Sequence, residues 1–353
     1  MLILGIESSC DETAIALVAD GCHVRSSVVA SQFAAHLPFG GVVPEVAARE
    51  HLRAIDPLFH QALAEAGIQA HEIDAIAVTQ GPGLIGALLV GVAYAKGLAL
   101  GLGKPLVPVD HVQAHVHGAL LGVPPTADFY PALALVVSGG HTNLYRMRGP
   151  THFHLLACSV DDACGESFDK VAKILGLGYP GGPVIERLAE GGDRNRIAMP
   201  HMVQQKNRME FSYSGLKTHL SNLVQQAKAT ADLASGVGPS QLADICAAFQ
   251  EEALGQIVRK LVAALRLHPE TKHVLVAGGV AANQRFRALM AEQVPRPALF
   301  PAQAYCSDNA AMIAAYGFHV WQQEHSQGQG QADALHEWDA YSRYQFARAK
   351  NAT

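Results

Sequence analysis

Short apolar segments alternate along this chain with longer segments whose apolar residues recur every three or four positions. Helical periodicity is clearest where apolar residues occupy positions 168, 171, 172 and 175, and again 249, 253, 257, 261 and 265. Short apolar runs separated by such helices predict an α/β fold. The runs with strand character are Leu2–Ile6, Ala14–Val18, Ala75–Val78, Leu133–Val137, Leu144–Met147 and His273–Ala277.

The strand pattern near the N-terminus returns in the second half of the chain. In both places an apolar strand leads through a short polar turn into another strand, and the turns are Ser9–Thr13 and Ser138–Thr142. A second pair of segments also matches, because Gly81–Gly83 and Gly278–Gly279 each follow an apolar strand and precede a helical segment with small residues. This internal repeat predicts two similar α/β lobes with a cleft between them.

The boundary between the lobes is predicted at the prolines that lie between positions 124 and 131. We expect an N-terminal lobe over residues 1–125, a C-terminal lobe over 126–325 and a tail over 326–353. The side on which the final helix packs is left open, since that helix could cross back to the first lobe. The tail carries little core pattern and is expected to be partly mobile.

Composition and charge exclude several classes of protein. The chain has 353 residues, of which 49% are hydrophobic and 16% charged, and this balance excludes intrinsic disorder. Its formal net charge of −5 is not the basic footprint of a stand-alone nucleic-acid binder. Any attraction to RNA must therefore come in large part from a local patch or from a partner.

Cysteine spacing and apolar runs favour an aqueous, reducing compartment. None of the six cysteines forms a CxxC pair, so a zinc ribbon, a thioredoxin motif and a disulfide scaffold are all disfavoured. The N-terminus lacks the pattern of a signal peptide. The longest apolar run, Leu84–Ala95, is too short to cross a bilayer and is interpreted as a buried helix. A cytoplasmic protein without membrane association is expected.

Two histidines four positions apart, His111 and His115, are candidate metal ligands. On a helix this spacing places both imidazoles on one face. The residue after His111 is Val112, so the glutamate base of an HExxH peptidase is missing and a metallopeptidase is disfavoured. A third ligand would come from far along the chain, and Asp308 would complete a set of two histidines and one carboxylate. The alternatives are coincidence among 18 histidines, and a helix-capping role for Asp308.

Polar and Gly-rich turns are candidate binding sites for an anion. The first turn carries Asp11 and Glu12, and the second includes Ser138, Gly139 and Gly140. Backbone N–H groups in such turns can hold phosphate oxygens, although ordinary β-turns have the same composition.

Two further segments suit contact with a nucleoside. The turn Pro180–Pro183 is rigid enough to approach a ribose, and Gly278–Asn283 opens a helix that could face an anion or a flat base. The simpler interpretation of Gly278–Asn283 is a helix N-terminus with small residues for packing.

Taken together and in this order, the motifs resemble the bacterial tRNA N6-adenosine threonylcarbamoyltransferase family, TsaD, formerly described as a glycoprotease. So many ordered motifs over residues 2–320 make the resemblance specific. The motifs are Glu7–Thr13, Gly40–Glu45, Gly81–Leu84, His111 with His115, Ser138–Thr142, Tyr179–Pro183, Phe211–Thr218, Gly278–Val280 and Ser307–Asn309.

The resemblance implies a fold, a metal centre and a binding site for an adenylate. The fold would be that of actin, Hsp70 and sugar kinases, with two duplicated α/β lobes around a nucleotide cleft. One divalent metal, iron first and zinc as the alternative, would be held by His111, His115 and Asp308. The residues that match the family's contacts to threonylcarbamoyl-adenylate are Val136, Val137, Ser138, Gly139, Gly140, Asp169, Gly182, Glu186 and Asn283.

The resemblance also implies a reaction and partners. The threonylcarbamoyl group would pass to the N6 amine of adenosine 37 in tRNAs that read codons beginning with A, and ATP or ADP could occupy the same cleft. Asp11 and Glu12 are candidates for assisting the proton transfer. The partners would be tRNA, a smaller inactive paralogue in a heterodimer, and an ATPase subunit. The small-residue helix after Gly83 is a candidate surface for the paralogue.

Two alternatives share the predicted fold. A small-molecule kinase would use the same phosphate-binding turns with magnesium and would not need His111, His115 and Asp308. A non-catalytic scaffold paralogue could lose the metal ligands and the binding turns, yet this sequence keeps them all. A bound transition metal therefore favours the transferase.

Overall fold

The computed structural model describes residues 1–124, 128–201, 209–230, 238–326 and 338–343. Two compact units can be separated, one formed by Met1–Ala127 with Asp308–Thr353 and the other by Asp128–Ser307. Of the tail expected to be partly mobile, only residues 338–343 and the end of the final helix lie in the described parts.

Each unit is built on one mixed β-sheet. The first has the strand order β3-β2-β1-β4-β5 and the second β11-β10-β6-β7-β8-β9. The strands are β1 (Leu2–Glu7), β2 (Glu12–Ala19), β3 (His23–Ser31), β4 (Ala75–Gly81), β5 (Leu106–Asp110), β6 (Ala132–Val137), β7 (Thr142–Gly149), β8 (His152–Ser159), β9 (Glu210–Phe211), β10 (His273–Ala277) and β11 (Ala298–Leu299).

Helices connect and cover these strands. They are α1 (Phe33–His36), α2 (Pro44–Ala66), α3 (Ile85–Leu102), α4 (His111–Gly118), α5 (Cys164–Ile174), α6 (Gly181–Ala189), α7 (Ser214–Thr230), α8 (Pro239–Leu267), α9 (Gln284–Gln293) and α10 (Ala310–Ser326). The final helix α10 packs on β1, β2 and α4 of the first unit.

The two sheets share a topology, as the internal repeat predicts. In the first unit β1, β2 and β3 are antiparallel neighbours, while β4 runs parallel to β1 and β5 parallel to β4. In the second unit β6, β7 and β8 form the same meander, and β10 and β11 add in parallel on the other side. The prediction of duplicated α/β lobes is therefore confirmed. All six predicted strands are present. Five strands were not predicted: polar residues or a proline interrupt β3, β5 and β8, and β9 and β11 have only two residues each.

The central strands of the first sheet are covered on both faces, which explains their unbroken apolar runs. Leu4 and Ile6 of β1 point into the core beneath α2 and α3. Successive side chains of a strand point to opposite faces, so Gly5 lies against α10. A Cβ atom at Gly5 would lie 2.2 Å from the Ala310 carbonyl oxygen. Only glycine at this position lets the start of α10 approach the sheet so closely.

Helix α3 differs from the buried helix expected over Leu84–Ala95. It continues through Lys96 to Leu102 and buries one face, while Ile85, Leu89 and Leu100 on the other are exposed. In the described parts of the chain it is the one helix with the length and composition of a membrane span, although the core helix of a soluble protein can pass the same test. The apolar run was therefore a poor guide to the extent of burial.

We expect Gly5→Ala to destabilise the protein, because the added methyl group collides with the backbone of α10. Overpacking of this kind lowers the free energy of unfolding by about 1–3 kcal/mol. Denaturant unfolding measures the change. Gly97→Ala is the matched control, since no atom of the described chain lies within 4 Å of that added Cβ atom. An equal loss in both variants would contradict this account.

Candidate active site

Helix α4 presents the two predicted histidines at its start. His111 is its first residue and directly follows β5. The Asp110 carboxylate caps the helix, since Oδ1 accepts a hydrogen bond from the Gln113 N–H at 2.9 Å. The rings of His111 and His115 are buried on one face, with centroids 4.7 Å apart. The sequence spacing therefore predicted their arrangement correctly.

Asp308 reaches these histidines from the segment that precedes α10. Its Oδ1 atom lies 3.2 Å from Nε2 of His115 and 3.7 Å from Nε2 of His111. One potential ligand atom from each of the three residues lies within 4.8 Å of the others. The Asn309 side chain caps α10 by accepting a hydrogen bond from the Met312 N–H at 3.0 Å. The capping alternative for this segment thus applies to Asn309, while the Asp308 carboxylate faces the histidines.

The chemistry of this cluster fits a metal ion. Neither ring nitrogen of the buried His115 makes a hydrogen bond with any described residue, because the 3.2 Å approach of Nε2 to the Asp308 carboxylate lacks hydrogen-bond geometry. An unsatisfied buried polar group costs about 1–3 kcal/mol, so such a group in a native site requires an explanation. A divalent cation at Nε2 would supply the missing interaction. Two imidazoles and one carboxylate form a donor set that suits iron or zinc and leaves positions open for other ligands.

A buried carboxylate, Glu7, orients His111 from behind. Its Oε2 atom lies 3.1 Å from Nδ1 of His111 and accepts a hydrogen bond from the Thr79 hydroxyl at 2.6 Å. Its Oε1 atom accepts a hydrogen bond from the Ser9 N–H at 2.5 Å. With Nδ1 engaged, Nε2 of His111 is directed toward Asp308, as in the carboxylate–histidine–metal arrangement of many metalloproteins. Sequence reasoning assigned Glu7 no role, although an acidic residue closing an apolar strand was a usable signal.

The pKa values in this cluster favour an ionised Glu7 opposite a basic His111. Burial alone would raise the pKa of the Glu7 carboxyl, but the charge of His111 and the hydrogen bonds hold it below its usual value. Burial also lowers the pKa of His111, and the carboxylates of Glu7 and Asp308 outweigh that effect and raise it to about 9. A metal ion would have to displace the proton from this imidazole.

The first polar turn, Ser9–Thr13, and the preceding Ser8 use their hydroxyl groups within the first unit. Ser8 donates to the Ala87 carbonyl at 3.0 Å, and the Ser9 hydroxyl lies 3.3 Å from Nδ1 of His111. Asp11 and Glu12 are partly exposed. Burial, followed by the charges of Asp308 and Asp11, raises the pKa of Glu12 to about 9. These hydroxyl groups therefore connect the turn to α3 and α4. The role of its carboxylates in proton transfer stays a prediction.

The second polar turn lies in the second unit and leaves its glycines open. Val136 and Val137 are buried at the end of β6, and Ser138 closes the turn by pairing with His141. No described atom lies within 4 Å of a Cβ atom built on Gly139 or Gly140, and neither glycine has a positive φ. Backbone strain thus gives no reason for glycine at these two positions. Their lack of side chains instead leaves the backbone accessible.

Two glycines, Gly165 and Gly278, allow neighbouring backbone to pack closely against this turn. A Cβ atom at Gly165, near the start of α5, would lie 2.8 Å from the Ser138 carbonyl oxygen. A Cβ atom at Gly278, where φ is +91°, would lie 2.4 Å from the Val137 carbonyl oxygen. The glycines that follow β10 therefore pack on the end of β6, which places the two Gly-rich segments of the second unit side by side.

The remaining predicted residues also lie in the second unit, and several already make internal hydrogen bonds. Asp169 accepts from the Gly181 N–H at 2.7 Å and so fixes the turn that contains Gly182. Asn283 caps α9 by accepting from the Phe286 N–H at 2.9 Å, and it donates to Gln250. The cap at Asn283 agrees with the simpler interpretation of its segment as a helix N-terminus. The binding role of both segments stays a prediction.

Glu186 lines a cavity beside the start of α9. Its Oε1 atom accepts from the Gln284 N–H at 2.6 Å. The cavity has a volume of about 320 Å³ and is lined by acidic, basic and amide side chains. Its other walls are Ala189, Glu190, Gly192, Arg194, Ala247, Gln250, Glu251, Gln284 and Arg285.

Comparison with solved structures defines the class of fold. HypF, solved in a phosphate- and nucleotide-bound form, superposes on 94% of this chain with a TM-score of 0.60. The sequence identity is 11%, and the match covers 56% of that protein. This likeness concerns the fold alone, and it agrees with the duplicated α/β lobes described above.

Sequence comparison defines the family. The model of the family described as tRNA N6-adenosine threonylcarbamoyltransferase, TsaD, matches residues 23–315. A protein of that name from Syntrophobacter fumaroxidans is 48% identical over 324 residues, which cover 91% of this chain and 94% of the relative. Another from Sorangium cellulosum is 49% identical over 331 residues, covering 90% and 91%. The chain belongs to this family and is a transferase of tRNA modification.

We expect Glu7→Gln to weaken binding of zinc or cobalt by about 10- to 100-fold, because the amide no longer presents an anion to Nδ1 of His111. Competition against a chromophoric chelator measures the affinity. Glu50→Gln is the control, since Glu50 pairs with Arg53 on the surface of the same unit. Unchanged affinity in a folded Glu7→Gln protein would show that Glu7 does not support the metal site.

Proposed function

We propose that this chain transfers a threonylcarbamoyl group from threonylcarbamoyl-adenylate to the N6 amine of adenosine 37 in tRNAs that read codons beginning with A. The observation that carries the proposal is the cluster of His111, His115 and Asp308, found in a member of this transferase family. A kinase of the same fold has no use for such a cluster, and a scaffold would not need to keep it.

We propose that the cluster holds one divalent metal, with iron as the first expectation and zinc as the alternative. When bound, the metal supplies Lewis-acid polarisation and a template for the donor. The protein's own part is to hold the ligands in place. Glu7 fixes the orientation of His111, Asp110 caps the helix that carries both histidines, and the close packing of α10 on β1 brings in Asp308.

We propose that the second unit binds the adenylate. The accessible backbone at Gly139 and Gly140 suits the phosphate, because N–H groups of a Gly-rich turn can donate to its oxygens. The cavity beside Glu186 suits the nucleoside, since a carboxylate can accept from ribose hydroxyls. Asp169, Gly182 and Asn283 would then shape the surrounding turns. ATP or ADP could bind to the same residues.

Adenylate is a good leaving group, so the proposed reaction requires no covalent enzyme intermediate. The attacking amine must lose a proton, and Asp11 and Glu12 are the proposed groups that assist its transfer. Both lie in the turn that also contacts His111 through Ser9. The first unit would therefore carry the proton transfer as well as the metal.

We further propose that the smaller paralogue binds the exposed face of α2 and α3. These helices run side by side, with Gly86 next to Ala48 and Tyr94 next to Phe59. Leu52 is 66% exposed on α2, and Ile85 and Leu89 are 47% and 45% exposed on α3. Neighbouring apolar side chains left in water are typical of a protein interface. The ATPase subunit and tRNA complete the proposed set of partners.

Nucleoside mass spectrometry tests the reaction. In cells that lack this activity and contain compatible partner subunits, we expect the wild-type chain to restore threonylcarbamoyladenosine in tRNA. His111→Ala is expected to restore less than about 1% of it, in line with the loss seen when a central electrostatic catalytic group is removed. His23→Ala is the matched control, because His23 is an exposed histidine on β3 of the same unit, away from the helix face proposed for the paralogue.

The outcomes separate the proposals. Rescue by both histidine variants would keep the transferase and contradict an essential metal ligand at His111. No rescue by the wild type, with partner binding confirmed, would favour the kinase or the scaffold.

We expect Leu89→Glu to abolish co-purification with the paralogue, because a charge at the centre of an apolar interface must be desolvated without a partner. Leu267→Glu is the control, since Leu267 is 67% exposed at the end of α8 in the other unit. Size-exclusion chromatography of the mixed subunits measures the complex. A heterodimer that survives Leu89→Glu would remove this face from consideration.

A further inference from the structure

The segment Trp338–Arg343 near the C-terminus has no place in the function described so far. It follows α10 in the sequence, and it lies on the first unit. Three contacts hold its first residues there. The Lys96 ammonium donates to the Trp338 carbonyl at 3.0 Å and lies 4.8 Å from the centre of the Trp338 ring, and the Gln80 side chain donates to the Asp339 carbonyl at 2.8 Å.

Tyr341 is the residue of this segment whose side chain reaches Asp110, the N-terminal cap of α4. Its backbone N–H donates to the Gln80 carbonyl at 3.1 Å, and its hydroxyl donates to Oδ2 of Asp110 at 2.8 Å. Gly81 makes room for this approach, because a Cβ atom there would lie 2.2 Å from the Tyr341 carbonyl oxygen. The position of the hydroxyl is therefore set by backbone contacts on the end of β4.

Asp110 links this hydroxyl to the metal ligands. Its Oδ1 atom caps α4 through the Gln113 N–H, while its Oδ2 atom accepts from Tyr341. A carboxylate bound through both oxygens has a fixed orientation, and this one immediately precedes His111. Movement of the cap would move the first turn of α4, and with it the imidazole of His111 relative to Asp308.

We propose that Tyr341 is a positioning residue for the metal centre and acts through Asp110 on the first turn of α4. The inference rests on the proposed metal site. The segment Trp338–Arg343 would then contribute to metal binding, because it holds the Tyr341 hydroxyl against the Asp110 carboxylate that caps α4.

The test compares metal affinities of the full-length wild type and Tyr341→Phe, with Co²⁺ and Zn²⁺ as probes in competition with a chromophoric chelator. Phenylalanine keeps the ring and removes the hydroxyl. Loss of an outer-shell partner weakens metal binding by about 10- to 100-fold, and we expect the lower end or slightly less, about 3- to 10-fold, because Tyr341 acts through one more residue. The absorption spectrum of bound Co²⁺ is expected to change as well.

Tyr94→Phe is the matched control. The Tyr94 hydroxyl makes the same kind of bond in the same unit, donating to a carboxylate oxygen of Asp56 at 2.9 Å, but it joins α3 to α2. We expect its metal affinity to equal that of the wild type. Equal losses in the two variants would overturn the proposal, because the effect would then be general destabilisation. Wild-type affinity and an unchanged Co²⁺ spectrum in Tyr341→Phe would also overturn it.

The double variant tests the route through Asp110. If Tyr341 acts through that carboxylate, Tyr341→Phe adds no further loss in the background of Asp110→Asn, whereas additive losses would contradict the route. The wild type and His111→Ala separate this inference from the metal site itself. If the wild type binds neither ion, the proposed metal centre fails together with the inference. If only His111→Ala loses affinity, the centre stands and the inference fails.

Discussion

The buried pair of Glu7 and His111 is the interaction on which the rest of the site depends. A carboxylate without solvent exposure costs several kcal/mol unless its oxygens are satisfied. Here the partners are the His111 imidazole, the Thr79 hydroxyl and the Ser9 N–H. These partners belong to α4, β4 and the first polar turn. Glu7 therefore orients the His111 imidazole and also connects three elements at the end of β1.

The two units share one strand topology but place different residues at the end of the equivalent central strand. Strands β1 and β6 occupy the same place in their sheets. The first ends in Glu7 and anchors a histidine, while the second ends in Val137 and leads to an open Gly139–Gly140 turn. The end of the central strand thus fixes the orientation of His111 in one unit and leads to accessible backbone N–H groups in the other. The proposed metal and adenylate sites follow this division.

The sequence predicted the repeated parts better than the contacts between distant segments. Unbroken apolar runs revealed the central strands, and the spacing of His111 and His115 is local, so both were predictable. Asp308 could also be predicted from the sequence, because two histidines and one carboxylate form a recurrent metal-binding set. Glu7 and Tyr341 could not be assigned, since a carboxylate at a strand end and a tyrosine in a polar tail normally face water. The contacts on which their proposed roles rest join side chains that are 104 and 231 positions apart in the sequence.

Glu7 and Asp110 stabilise different parts of the first turn of α4. Glu7 fixes the rotation of one imidazole, whereas Asp110 fixes the backbone from which that imidazole projects. A metal site needs both, because ligand atoms must lie within a few tenths of an ångström of their bonding positions. Glu7 contacts the imidazole itself, so it should govern the strength of His111 as a proposed metal ligand. Asp110 and the Tyr341 hydroxyl act on the backbone of the first turn, so they should govern the geometry of that ligand.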